Sequence, residues 1–391
     1  MSEEVIITAR RALPLVLVAL LSVGGLAACS FEPSSPPRSS PPQPSPTGTG
    51  TGAQRLMPVG VPTVIARGLD SPWSILRLGD NDSTLVSERD TGVIEEVTPD
   101  RQLRAAGIVA GVVHGGEGGL LGIDVWRAGE ARWVYAYLTT ASDNRIVRMP
   151  LLGGAGAYSL GAPQKILVGL AKADNHDGGR IRFGPDGMLY ATVGDAGRSE
   201  LAQDPASLNG KILRITPGGG VPVDNPIPGS LVYSLGHRNP QGIAWDRDGR
   251  LWAAEFGQNT WDELNRIEPG GNYGWPIVEG KGGKAAYIDP VYQWSTSEAS
   301  PSGLAFVGGT FFLAALRGER LWAIYPDVAA TAVPSATAVP YLVGTFGRIR
   351  DAVPGPNGSL WILTNNTDGR GDPRDGDDKL VQVELDVVRG G

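Results

Sequence analysis

Cysteine and histidine are scarce in this chain of 391 residues, and no long stretch carries a helical period. The single cysteine, Cys29, excludes an internal disulfide and every thiolate-rich metal cluster. A bound metal would therefore have to be held by oxygen ligands or by imidazole, and His114, His176 and His237 are the whole imidazole supply. Excess positive charge is missing too. A net charge of -7 repels polyanions and argues against nucleic acid as the main partner, leaving a small-molecule site as the default. What is abundant is punctuation: 56 Gly and 31 Pro cut the chain into short segments, which together with the absent helical period predicts an all-β protein.

The N-terminal region is set apart by composition. Arg10 and Arg11 precede an apolar run from Ala12 to Ala28, too short for a comfortable membrane span and well sized for a signal peptide. It ends in Leu26-Ala27-Ala28-Cys29, which resembles the bacterial lipobox. Cleavage before Cys29 and its acylation would tether the mature protein to the outer face of the cell membrane. Residues 29–54 are dominated by Ser, Pro, Thr and Gly, a composition that buries too little apolar surface to fold and reads as a solvated stalk. The expected folded domain is 55–391.

Within that domain one short pattern returns: a turn with Gly or Asp/Asn, then a strand with alternating apolar residues. It is clearest at Pro185-Asp186-Gly187 before Met188 to Val193, at Asp248-Gly249 before Arg250 to Ala254, and at Asn357-Gly358 before Ser359 to Leu363. Degenerate copies begin at Asp82 and Gly309. A repeat of roughly 50 to 60 residues matches one four-stranded propeller blade, so the domain is expected to be a six-bladed β-propeller of antiparallel sheets. Function would then sit on loops at one end of the central channel.

Five loops carry unusual polar chemistry. Gly115-Gly116-Glu117-Gly118-Gly119 allows backbone to approach a flat ligand closely. Asn175-His176-Asp177-Gly178-Gly179 is joined by one hairpin to Gly194-Asp195, so a carboxylate could hold the His176 imidazole in one tautomer and make it a general base. Gly236-His237-Arg238-Asn239-Pro240-Gln241 packs a cation and two amides into a rigid turn, suited to polarising a carbonyl oxygen or binding a planar polyanion. Glu255 to Asn265, followed by Gly271 to Pro276, offers carbonyls and carboxylates of the kind that calcium collects. Finally, Arg317 and the pair Arg348 and Arg350, whose i, i+2 spacing on an extended segment points both to one side, could pair with carboxylates.

Taken together these loops resemble those of the glucose/sorbosone dehydrogenase family, quinoproteins that use pyrroloquinoline quinone (PQQ) and Ca2+. The resemblance implies that His176, oriented by Asp195, takes the proton of a sugar's anomeric hydroxyl as hydride leaves C1 for the quinone, giving a lactone. It implies that Arg238 lies beside the reactive quinone oxygen, and that Glu117, Asn239, Arg317, Arg348 and Arg350 contact the cofactor. The carbonyls of Gly257 and Gln258 would hold the cofactor-bound ion, and Glu263 with the Tyr273 carbonyl a structural one. Two departures matter: Gln258 stands where Pro is common, and Phe256 replaces a polar residue of glucose-oxidising members, leaving the aldose open. Electrons would pass to an acceptor outside the cytoplasm. Two other functions remain compatible with the scaffold, a non-catalytic sugar- or ligand-binding lipoprotein and a calcium-dependent lactonase.

Overall fold

The computed structural model describes residues 54–327 and 334–389. Cys29, the signal segment and all of the stalk but Gln54 lie outside the described residues. Six antiparallel sheets make up the domain, and each blade runs from an inner strand at the channel to an outer one. The first blade is Pro72–Arg77, Thr84–Glu88, Val93–Val97 and Leu103–Ile108. The second is Leu120–Ala128, Ala131–Thr139, Asn144–Leu152 and Gln164–Leu170, with the two-residue Ser159–Leu160 added to its third strand. Ile181–Phe183, Leu189–Val193, Lys211–Ile215 and Val232–Leu235 form the third. Pro240–Trp245, Leu251–Glu255, Trp261–Ile267 and Tyr292–Ser295 form the fourth. The fifth consists of Pro301–Val307, Thr310–Ala315, Arg320–Asp327 and Ser335–Tyr341. In the sixth, Ile349–Pro354, Leu360–Thr364 and Lys379–Val387 are completed by the N-terminal strand Leu56–Arg67, which pairs from Leu56 opposite Val387 to Arg67 opposite Lys379. Pairing the two ends of the domain in one sheet closes the ring.

The recurring turn-and-strand pattern marks the second strand of five blades. Its turn glycines Gly187, Gly249 and Gly358 have φ of +76°, +77° and +79°, a left-handed conformation that a side chain would strain. The following strands are buried along nearly their whole length because both faces of each sheet meet neighbouring blades.

The inner strands share a second device. Five of the six have a register break at the same point, between Pro72 and Ser74, Leu120 and Ile123, Pro240 and Gly242, Pro301 and Leu304, and Ile349 and Asp351. At these bulges the blades press on one another. A Cβ on Gly122 would meet the Gly179 carbonyl oxygen at 2.4 Å, one on Gly242 the Ser302 carbonyl oxygen at 2.1 Å, and one on Gly303 the Asp351 carboxylate at 2.1 Å. Only glycine allows that approach. Between the blades runs Arg180 of the third, whose guanidinium reaches Asp351 of the sixth at 2.9 Å, Ser74 of the first at 3.1 Å and the Gln241 carbonyl of the fourth at 2.9 Å. Asp351 also accepts the Ile75 amide at 2.9 Å. This buried layer divides the channel into two mouths.

Candidate functional site

The loops that enter each inner strand, and those that leave each second strand, gather at one mouth. Glu117, His176, Arg238, Asn239 and Arg348 come from the first set and Arg350 from the start of the sixth inner strand, while Arg89, Asp195, Phe256, Gly257, Arg317 and Asp368 come from the second. Blade geometry therefore collects residues that the sequence scatters over almost the whole domain.

At the centre of this mouth is a cavity of about 320 Å3 lined by Trp73, Glu117, Gln241 and Phe256 together with Arg89, Arg317, Arg348, Arg350 and Arg370. Its charge is unbalanced. Arg348 donates to the Asp368 carboxylate at 3.1 Å and Arg350 lies 3.6 Å from the same group, while Arg350 also forks onto Asn365 at 3.1 and 2.9 Å. Burial opposes the ionisation of Asp368, but Arg350 and Arg348 outweigh it and hold the carboxyl below its usual range. Arg89 pairs with Asp90 at 2.5 Å, and Arg370 is 3.8 Å from Glu117. More guanidinium groups than carboxylates face one pocket, which suits a ligand bearing several anionic groups. Trp73 supplies a flat apolar wall, with the Arg180 guanidinium 4.2 Å from its ring centre and Arg350 at 5.8 Å.

Beside the cavity stands an acid–base pair. His176 Nδ1 and Asp195 Oδ1 are 2.7 Å apart, and Asp195 is fixed in turn by the Trp275 indole N–H at 2.8 Å and the Gly197 amide at 2.8 Å. His176 itself has a left-handed φ of +60°, and its carbonyl passes so close to Gly194 that a Cβ there would meet it at 1.9 Å. With Nδ1 engaged, Nε2 is the atom left for a substrate proton. Glu117 ties this pair to the cavity: its carboxylate accepts the His176 backbone amide at 3.0 Å and the Asn239 side-chain amide at 3.1 Å. Asn239 accepts the Gly178 amide at 3.0 Å.

Arg238 lies next to it, its guanidinium donating to the Gly257 carbonyl at 2.5 Å and the Phe256 carbonyl at 3.3 Å, 5.5 Å from the Trp275 ring centre. Its Nε is buried without a partner. Burial pulls the guanidinium below its ordinary pKa, and Asp195, Glu117 and Glu255 pull it back. Glu255 accepts the Arg238 backbone amide and the His237 ring at 2.8 Å.

The four residues expected to hold metal are only partly brought together. Gly257, Glu263 and Tyr273 line one small hollow with Arg238 and Glu255, whereas Gln258 is not on its wall. Gln258 instead belongs to a loop whose amides, from Gln258 to Trp261, all point at the Glu279 carboxylate. Glu263 faces Glu255 directly across the strand pair, and burial, with Glu255 second, pushes the Glu263 carboxyl well above its usual range. Glu255 and Glu263 are thus a buried pair of acids with Arg238 on the wall of the same hollow.

Of the expected cofactor contacts, Glu117, Arg317, Arg348 and Arg350 line the cavity itself, Asn239 reaches it through Glu117, and Arg238 lines a separate small hollow with Gly257; the expected base, His176, is also tied to the cavity through Glu117. Gln241, one of the two amides of the 236–241 turn, also lines the cavity, whereas Trp73, Arg89 and Arg370 escaped the sequence reading. The signal available for Arg89 was its place directly after a second strand, the same place held by Asp195 and Arg317 in their blades.

Residues 69–373 match the family described as Glucose / Sorbosone dehydrogenase. The chain is 32% identical to quinoprotein glucose dehydrogenase B of Acinetobacter calcoaceticus over 60% of its own length, and that match spans 56% of the relative. It is 30% identical to the aldose sugar dehydrogenase YliI of Escherichia coli, covering 78% of this chain and 90% of the relative. Among solved structures, the PQQ-bound aldose sugar dehydrogenase of Streptomyces coelicolor superposes with a TM-score of 0.79 at 49% identity, covering 85% of this chain and 98% of that one.

Proposed function

Because the chain belongs to the glucose/sorbosone dehydrogenase family, we propose that it oxidises an aldose at C1 to the lactone, using PQQ and Ca2+, with His176 as the general base. The observation that carries the reading is the His176–Asp195 pair standing beside a pocket lined by five arginines. The pocket fits a flat tricarboxylate: Arg317, Arg348 and Arg350 would take its carboxylates, Trp73 would face its plane, and Asn239 and Glu117 would border its edge. When bound, PQQ would supply the two-electron acceptor, and the Gly257 and Gln258 carbonyls would be the groups to hold a Ca2+ that supplies positive charge.

The remaining chemistry belongs to this chain. Asp195 keeps the proton on His176 Nδ1, so that Nε2 can accept the proton of the anomeric hydroxyl. Trp275 and Gly197 prevent the carboxylate from turning away. Arg238 offers a cation, with an unpartnered Nε, where negative charge develops during transfer. Glu263 and the Tyr273 carbonyl would hold a second, structural cation that relieves the Glu255 and Glu263 carboxylates. The arginine-rich pocket favours this reading over a lactonase, whose ion would need several carboxylate and amide side chains converging in the channel.

Lipid attachment at Cys29, with export and a stalk that holds the propeller outside the membrane near an external electron acceptor, is part of the same proposal; its support is the Leu26-Ala27-Ala28-Cys29 sequence. The test of the enzymatic reading adds PQQ and Ca2+ to the purified propeller and follows dye reduction with a panel of aldoses. Reduction that disappears in His176→Ala while cofactor binding remains is the expected result. Failure to bind PQQ at micromolar concentration with Ca2+ present would sink the reading, and lactone hydrolysis in its place would support the lactonase.

A further inference from the structure

The channel has a second mouth. Below the Arg180–Asp351 layer, at the opposite end of the inner strands, a cup of about 340 Å3 is as roomy as the arginine-lined cavity above. Its walls come from the inner strands of the second to sixth blades and include Phe183, Trp245, Leu304 and Phe306. Two charged groups of opposite sign interrupt this apolar lining, Arg182 and Asp124.

Their hydrogen bonding is incomplete. Among the described residues the Arg182 guanidinium makes no hydrogen bond; it lies 3.9 Å from Asp351, whose carboxylate already serves Arg180 at 2.9 Å and the Ile75 amide at 2.9 Å. Arg182 is nevertheless largely covered, with 19% of its side chain exposed. Asp124 accepts one backbone amide on each oxygen, from Val125 at 2.8 Å and Phe183 at 2.6 Å, which leaves each oxygen acceptor capacity. The cup thus presents several unused donors, a few unused acceptors and aromatic surface within one concavity.

That combination selects among ligand classes. A carboxylate would meet Asp124 as well as Arg182, and an amine would meet Arg182 as well as Asp124, so a singly charged ligand gains little. A zwitterion would have to surrender the hydration of two charges. A neutral polyhydroxyl ligand avoids both costs, because its hydroxyls accept from a guanidinium and donate to a carboxylate while its C–H face covers an aromatic ring. We propose that the second mouth of the channel is a binding site for a neutral saccharide of one or two rings, held by Arg182 and Asp124 and packed on Trp245 and Phe306. The site is separated from the upper pocket by the Arg180–Asp351 layer and does not depend on the redox reading.

The test uses the cofactor-free propeller and sugars without a free anomeric hydroxyl, methyl α-glucoside and trehalose, so that turnover cannot intervene. Calorimetric titration is expected to give saturable binding with Kd on the order of 1 mM for at least one of them. Arg182→Ala loses no internal hydrogen bond and should fold, and Trp245→Leu provides a second, apolar change; each is expected to weaken binding by about tenfold or more. Melting curves check that both variants keep the fold. No saturation up to about 100 mM, or binding left unchanged by both substitutions, would overturn the proposal. So would binding of benzoate or phenylalanine at this mouth in the absence of any for the sugars.

Discussion

Asp195 takes three hydrogen bonds at once, from His176 Nδ1 at 2.7 Å, the Trp275 indole at 2.8 Å and the Gly197 amide at 2.8 Å, and so fixes the His176 ring with Nε2 left open. His237, by contrast, uses both nitrogens, on Ser234 and Glu255, and is fully buried against the Tyr273 ring. The arrangement makes a sharp prediction. His176→Ala should lower kcat by about 10^2–10^4-fold, the usual worth of a positioned base, with cofactor affinity unchanged. Asp195→Asn should cost on the order of 10^2-fold or more, because an amide at this position permits the tautomer that protonates Nε2. Steady-state dye reduction with a separate PQQ titration checks both. Equal losses of binding and turnover would mean that the pair serves cofactor retention instead.

A second prediction concerns the arginines. Arg350 is buried and bonded to Asn365 and Gln241, with Asp368 3.6 Å away. Replacing it with Gln removes one charge-assisted contact, so PQQ affinity should fall by about tenfold to a hundredfold. Asp368→Asn acts in the opposite direction on the two states. It strands Arg348 and Arg350, costing the cofactor-free protein about 3 kcal/mol or more, and much of the lost Tm should return when a polycarboxylate binds. Thermal melting with and without PQQ separates the two effects.

The sequence revealed some of this and hid the rest for physical reasons. Five second strands announced themselves through their turns, but the second blade's strand Ala131–Thr139 did not, although Gly129 before it has the same left-handed φ of +60°. Its turn, Ala128-Gly129-Glu130, lacks the Asp or Asn partner, and its nine residues blur the period. Arg348 and Arg350 were legible from their i, i+2 spacing because that rule is local. Arg89, Trp73 and Arg370 come from the first blade and from the loop that leads to the closing strand, so only ring closure brings them to the same pocket. Asp368, in the Asp/Gly loop from Thr367, is a buried counter-ion, which no local pattern announces.

Asp177, adjacent to His176, gives a pH-dependent prediction. One of its oxygens takes Asn144 at 2.7 Å and the Ala173 amide at 3.3 Å, while the other is buried without a partner. Burial, the largest cause, pushes its carboxyl up to about 6. In the unfolded chain the group ionises near 3.8, so between about 4 and 6 the folded state holds more protons, and stability falls as pH rises through that window. The contribution is up to about 3 kcal/mol, fully present below the window and lost above it. Chemical denaturation from pH 4 to 7 should show a flatter profile in Asp177→Asn. A parallel profile in the variant would assign the pH dependence elsewhere.

The channel layer yields the last prediction. Arg180 has one nitrogen buried without a partner even with Asp351 in place, so the pair is held together by a single carboxylate shared among Arg180, Ile75 and the more distant Arg182. Asp351→Leu keeps the number of side-chain heavy atoms but strands a buried guanidinium, and should destabilise the propeller by about 3–5 kcal/mol. Adding Arg180→Met removes the stranded charge, so the double variant should be more stable than Asp351→Leu alone, with a coupling of about 1–3 kcal/mol. It should not regain the wild-type value, since the Ile75 amide would still lack its acceptor and Ser74 and the Gln241 carbonyl would now lose Arg180 as well. Additive losses across this cycle would mean that the two residues contribute separately and that no coupled ion pair joins the third and sixth blades.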